Sequence, residues 1–224
     1  LGESNMESIL HDMMAESKNP TIAPYARTSE CYARVTAKAD TPEECEKLLD
    51  PVVEKICGLL GEDVYGVDVD SLEQVVGDGL RQRGLTLAVA ESCTGGLLSG
   101  RITDVPGCSD YYLGRVCSYA NEVKMKVLGV KKETLDTVGA VSPEVAEQMA
   151  EGVAKALGSD VGVGITGVAG PGGGTDEKPV GLVYISVWCR GQHFTRKMQA
   201  ANGRDRIRMQ AASTALDMIR RNIF

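Results

Sequence analysis

The chain has 224 residues and a formal net charge of −7 at pH 7, with 43% hydrophobic and 25% charged residues, an ordinary balance for a globular protein. Residues 1–70 carry 15 acidic and 6 basic side chains, whereas 71–224 carry 16 and 18; length and this split together predict two domains, 1–70 and 71–224. Neither part has the basic excess that phosphate backbones require, so no nucleic-acid partner is expected, and no stretch approaches the ~18 uncharged apolar residues of a membrane-spanning helix.

The first domain reads helix, strand, helix, strand. Met6, Ile9, Leu10, Met13 and Met14 recur at helical spacing within Glu3 to Glu16, and the segment from Asn19 to Pro24 breaks the pattern because proline cannot continue a helix. Cys31 to Ala37 alternates as a strand does. Thr41-Pro42-Glu43-Glu44 opens a helix, with a capping hydroxyl, proline at the first helical position and early acids that suit the dipole. That helix is expected to run to about Leu60, and Asp63 to Val67 is expected as a short closing strand. Gly58-Leu59-Leu60-Gly61 matches the G-x-x-G of RNA-binding KH loops by letters, but in so acidic a module it reads as a helix end closed by glycine.

The second domain alternates strand and helix. Leu72 to Arg83 is an amphipathic helix stopped by Gly84, and Leu85 to Ala90 is an apolar run of the kind buried on both faces of a sheet. Further expectations are a helix from about Thr94 to Thr103, a strand over Leu113 to Tyr119, and a helix over Asn121 to Leu128. Pro143 to Leu157 is a helix entered through Ser142, Val161 to Thr166 a strand, and Val180 to Arg190 with Gln192 to Ala200 a hairpin. Arg204 to Arg220 closes the chain as a helix. Interleaving of this kind implies a three-layer α/β/α domain with a mixed sheet, preceded by a small α+β domain.

Four segments of the second domain carry chemistry. Ala90-Glu91-Ser92-Cys93-Thr94-Gly95-Gly96 joins a buried strand to a helix, where ligands of α/β sheets bind. Its hydroxyls and glycines suit a nucleophilic oxygen beside unpaired amides; the plainer reading is that Ser92 or Thr94 merely caps the helix. In Ser118-Tyr119-Ala120-Asn121-Glu122-Val123-Lys124, Asn121 as the cap places Lys124 in the first helical turn. There the macrodipole, together with burial, lowers a lysine pKa, and a neutral lysine can deprotonate a serine. The alternative is a surface lysine beside a buried tyrosine. Gly164 to Thr175 is a Gly-rich loop after a strand, suited to close approach by a phosphate yet lacking the G-K-[ST] ending of a P-loop. Arg204-Asp205-Arg206-Ile207-Arg208 is either a solvated basic face or a phosphate contact.

The seven cysteines are scattered, with no C-x-x-C pair and no Cys/His cluster, a usage that predicts reduced thiols in a cytoplasmic protein and neither a disulfide framework nor a metal site. The two histidines, His11 and His193, lie in no context suited to a Ser-His-Asp triad. Leu1 opens the chain inside a helical pattern with no signal peptide, which reads as a fragment of a longer protein or a processed one.

Taken together, the segments A-E-S-C-T-G-G (90–96), S-Y-x-N-x-x-K (118–124), G-A-V-S-P (139–143), T-G-V-A-G-P-G-G-G (166–174) and K-P-V-G (178–181) resemble the CinA family and its stand-alone relatives, the nicotinamide-nucleotide amidases. N-P-T-I-A-P-Y-A (19–26) and V-T-A-K-A-D (35–40) resemble the KH-like domain of the same family. The resemblance implies an enzyme that deamidates nicotinamide mononucleotide to nicotinate mononucleotide and ammonia without cofactor or metal, as a cytoplasmic homodimer whose only expected partner is its nucleotide substrate. It implies Ser92 as nucleophile, Lys124 as its base and Tyr119 as a proton relay, with Thr94 the rival nucleophile. Amides of Thr94, Gly95 and Gly96 are expected at the oxyanion. Asn121, Thr166, Gly167, Ala169, Gly170, Gly172, Gly173 and Arg204 are expected around the ribose and phosphate. The pyrophosphatase activity associated with the family's N-terminal domain is not carried over, since that domain has no counterpart here. A non-catalytic nucleotide-binding or competence-related interaction module is the alternative.

Overall fold

The computed structural model describes residues 2–27 and 30–224, which form two compact units, Leu1–Val67 and Asp68–Phe224. In the first unit, α1 (Glu3–Glu16) is followed by a hairpin of β1 (Thr21–Arg27) and β2 (Glu30–Thr36), and then by α2 (Pro42–Leu60). The side chains of Met6, Leu10, Ile22 and Ile56 make its core. Strand β1 corrects the expectation of a simple break at 19–24. Pro24 pairs opposite Ala33 in a two-stranded ladder, where both strands are edges and a missing N–H is tolerated. The closing strand expected over Asp63 to Val67 is likewise corrected. Gly61–Asp63 is a 3₁₀ turn and 64–67 joins no sheet; the segment is tied down instead by the Tyr65 hydroxyl donating to Glu30 at 2.8 Å.

The second unit is a mixed sheet between helical layers. Its elements are α3 (Leu72–Arg83), β3 (Leu87–Glu91), α4 (Leu97–Thr103), β4 (Tyr112–Cys117), α5 (Asn121–Leu128), α6 (Lys132–Thr137), α7 (Pro143–Leu157), β5 (Val161–Gly167), β6 (Leu182–Cys189), β7 (Gln192–Gln199) and α8 (Arg204–Ile223). The strand order is β4-β3-β5-β6-β7, with β4-β3-β5 parallel and β5-β6-β7 antiparallel. The caps do as their chemistry dictates: Ser71 Oγ accepts from Gln74 N and Ser142 Oγ from Val145 N. Short α6 was not foreseen. Helix α4 begins at Leu97 and not at Thr94, because 92–96 is spent on a turn with Gly95 and Gly96 at φ +62 and +100, values that glycine adopts freely.

Side chains alternate across β3. Ala88 and Ala90 pack with Leu128 of α5 and Val145, Met149 and Val153 of α7, while the Glu91 side chain reaches α4 on the other layer. On β5, a Cβ at Gly162 or Gly164 would lie 2.0 Å from the Ala150 carbonyl oxygen or 2.2 Å from that of Ala146. These two glycines are what lets α7 lie so close to the sheet. No helix among the described residues is long and apolar enough to cross a membrane.

Candidate active site at the carboxyl edge of the sheet

Parallel pairing of Glu91 with both Cys117 and Ile165 makes the segments after β3, β4 and β5 leave the sheet at one edge, the edge where α/β proteins bind ligands. The antiparallel register of Gly167 with Val183 and of Leu182 with Gln199 brings the start of β6 and the end of β7, and hence Arg204, to that same edge. All four segments singled out in the sequence therefore converge.

At the centre lie Ser92 and Lys124. Lys124 Nζ is 3.2 Å from Ser92 Oγ and donates to the carbonyls of Ser118 (2.6 Å) and Tyr119 (3.4 Å). The lysine is 1% exposed, and burial holds its pKa below the usual 10.5, against a smaller opposing effect of Cys93 and Cys117. Desolvation, which penalises the charged form, is thus the main cause, whereas the sequence had pointed first to the helix dipole. The cap of α5 is Ala120, with no side-chain bond; Asn121 is exposed in the first turn. An uncharged amine has two N–H groups and one lone pair. With the N–H groups on the two carbonyls, the lone pair is left for the Ser92 hydroxyl.

The two other candidate nucleophiles of the turn are differently placed. Thr94 is 0% exposed and its Oγ1 has no hydrogen-bond partner, while Ser92 is partly open to solvent. Burial pushes the Cys93 thiol up to about 11, so it is not a thiolate at neutral pH.

Two of the three turn amides expected at an oxyanion, those of Gly95 and Gly96, are already bonded within the protein. Gly95 N–H donates to the Ser92 carbonyl (3.1 Å), and Gly96 N–H to the carboxylate of Glu91 (3.0 Å). Leu98 and Ser99 N–H donate to that carboxylate as well. An internal anion already occupies the helix start. The sequence motif contained Glu91, yet nothing in it showed that a carboxylate on the strand turns back onto amides five to eight residues later.

Arg204 joins the other segments: it donates to the Gly170 carbonyl at 2.7 Å and to the Tyr119 hydroxyl at 3.3 Å. Tyr119 is 64% exposed; its carbonyl reaches Lys124, and its hydroxyl meets Arg204. Thr166 is buried and donates its proton to the Ala140 carbonyl at 2.7 Å, so it braces the 139–143 loop. Gly167 and Ala169 lie at the base of the Gly-rich loop and Gly172 and Gly173 at its exposed tip. Among the described residues, the amides of Gly170, Gly172, Gly173 and Gly174 take no backbone carbonyl. Arg208, in the basic segment that opens α8, donates twice to the Thr94 carbonyl (3.2 and 2.7 Å); Arg115, which the sequence reading did not single out, donates to the Gly96 carbonyl (3.1 Å). A separate cavity of about 380 Å³, lined by Arg83, Arg190 and Phe194 among others, lies by the β6–β7 turn at the opposite end of the strands.

The model of the CinA C-terminal domain matches residues 69–223, and that of the damage-inducible protein CinA KH domain matches residues 1–66. The chain is 48% identical over 223 residues to a CinA-like protein of Dictyoglomus thermophilum, and 50% identical over 226 residues to one of Desulfovibrio desulfuricans. Those alignments cover all of this chain and 54% and 53% of the two relatives; the chain spans about half the length of these relatives. The structure of the competence/damage inducible protein CihA of Agrobacterium tumefaciens superposes with a TM-score of 0.66 at 39% identity, over 70% of this chain and 96% of that one. A CinA superfamily protein of Klebsiella pneumoniae gives 0.66 at 31%, over 69% and 98%. With both of its units matched and its full length aligned at such identity, the chain belongs to the CinA family.

Proposed function

We propose that residues 71–224 form an amidohydrolase that converts nicotinamide mononucleotide to nicotinate mononucleotide and ammonia, and that residues 1–70 are a KH-like module without chemistry of its own. The observation that carries this reading is the buried Lys124 amine 3.2 Å from the Ser92 hydroxyl, a nucleophile with a base of lowered pKa and no histidine between them. Ser92 Oγ attacks the carboxamide carbon while its proton passes to Lys124 Nζ. The adduct collapses with cleavage of the C–N bond, and the proton leaves on ammonia, with Tyr119 as relay at the mouth of the site. A water deprotonated by Lys124 then hydrolyses the Ser92 ester. The amides of the Gly-rich loop and the Arg204 guanidinium hold the ribose and phosphate. The same reading takes the protein to be a cytoplasmic homodimer.

Ammonia release from nicotinamide mononucleotide, measured for wild type, Ser92→Ala and Lys124→Ala, tests the mechanism; full activity in both variants overturns it. The names of the solved relatives refer to competence and damage and not to a reaction, which supports a second reading, a nucleotide-binding interaction module. Thermal stabilisation by the nucleotide with no ammonia released decides for that module.

A further inference from the structure

Glu91 is the last residue of β3, 0% exposed, and both of its carboxylate oxygens are used. Oε2 accepts from Gly96 N–H at 3.0 Å and Leu98 N–H at 3.2 Å, and Oε1 from Ser99 N–H at 3.0 Å. A buried carboxylate carries a large desolvation cost unless it is bonded, and these amides, at the positive end of a helix, are what meet it here. No ion pair to Glu91 is present among the described residues. Its effect is therefore to lace the end of the strand to the start of α4 across residues 92–96.

That span needs lacing. Gly95 and Gly96 both sit at positive φ, and two consecutive glycines leave the backbone more freedom than any other pair. Arg208 holds the Thr94 carbonyl and Arg115 the Gly96 carbonyl, so the turn is gripped through its C=O groups by two cations and through its N–H groups by one anion. Ser92 N–H is also fixed, on the Ile165 carbonyl at 3.0 Å.

We infer that Glu91 is a positioning residue, whose buried carboxylate sets the turn so that Ser92 Oγ meets the Lys124 amine. This rests on the reading of Ser92 as nucleophile. Glu91 faces the α4 layer and touches neither Ser92 Oγ nor Lys124 Nζ, so its loss acts on the reactivity of Ser92 and leaves nucleotide affinity in place.

The test uses Glu91→Gln, equal in size but unable to accept from all three amides, and Glu91→Asp, equal in charge but one methylene short. Two rates are read in the full chain: ammonia release from nicotinamide mononucleotide, and labelling of Ser92 by a fluorophosphonate, which requires no knowledge of the substrate. In both variants kcat and the labelling rate are expected to fall together by about 10²-fold, the usual consequence of an ångström-scale misplacement, with KM within twofold of wild type. Unchanged kcat and labelling in either folded variant overturn the inference, as does a loss seen only in KM. Should Glu91→Gln not fold, Glu91→Asp decides alone; an Asp variant with wild-type rates means that only the charge matters and overturns positioning. A wild type that is labelled but releases no ammonia overturns the amidase reading alone, and labelling then decides on Glu91; one that turns over without being labelled leaves the decision to kcat and KM. A wild type that neither labels nor turns over overturns both.

Discussion

Glu91 and Ser92 are chain neighbours whose side chains serve opposite layers of one sheet. Glu91 binds the first amides of α4, and Ser92 meets Lys124 of α5 at 3.2 Å. The alternation of a strand, carried one residue past its end by the Ser92 N–H bond to Ile165, separates the group that shapes the turn from the group that reacts.

Removing the Ser92 hydroxyl takes away the nucleophile, and Ser92→Ala is expected to lose ammonia release altogether. Thr94→Val is expected to keep it. The Thr94 hydroxyl is buried without a partner, and an unsatisfied buried polar group costs about 1–3 kcal/mol. A methyl in its place should leave the melting temperature equal or higher by calorimetry. A Thr94→Val enzyme that is folded and inactive would reverse the assignment of the two residues.

Activity should rise with pH. Lys124 acts as base only when uncharged, and burial lowers its pKa from 10.5, so kcat/KM is expected to climb through an apparent pKa below that value. Lys124→Ala should lose about 10²–10⁴-fold, the usual contribution of a general base. Stability carries the same sign. Between the lowered folded pKa and 10.5 the unfolded chain binds more protons than the native one, so native stability rises with pH across that window and falls as pH drops through the folded value. Denaturant melts of wild type and Lys124→Met over pH 7–10.5 should therefore diverge in slope, wild type gaining relative to the variant as pH rises; parallel curves would contradict a lowered pKa.

Arg204 contributes two bonds that tie the Gly-rich loop to Tyr119. Arg204→Ala is expected to raise KM for the nucleotide by about 10- to 100-fold, in keeping with the ~1.5–3 kcal/mol of a hydrogen bond to a charged group, with a smaller change in kcat. Steady-state kinetics separates the two, and an unchanged KM removes Arg204 from the binding loop.

Gly164→Ala tests the packing of α7 on β5. Its Cβ would lie 2.2 Å from the Ala146 carbonyl oxygen and 2.7 Å from the Ala150 nitrogen, backbone atoms that cannot swing aside. Overpacking of this kind costs about 1–3 kcal/mol, to be read as a lower urea midpoint with an unchanged slope.

Elements announced by local chemistry were legible residue by residue. Ser142 and Pro143 open α7 where a capping hydroxyl and a first-turn proline require it, and Gly84, at φ +61, ends α3. Strand β1 was not legible, because Pro20 and Pro24 read as breaks until the pairing with β2 shows that no inner ladder is interrupted. The closing strand at 63–67 failed for the complementary reason: β-favouring Val64, Tyr65 and Val67 were present, but no partner strand.

For the site, residue types and local settings alone singled out the turn with its two hydroxyls, Ser92 and Thr94, together with Lys124 and the Gly-rich loop, since hydroxyls beside glycines after a buried strand and a lysine early in a helix are properties of a few consecutive residues. Which of those groups meet was decided by tertiary structure. Ser92 and Lys124 are 32 residues apart, and their contact depends on the parallel register that sets Glu91 beside Cys117. The same packing buries Lys124, hides Thr94, turns the Tyr119 hydroxyl to Arg204 and assigns the α4 amides to Glu91. Burial and long-range pairing are sums over many neighbours distant in the chain, and it is those sums that set a lysine pKa or commit an amide.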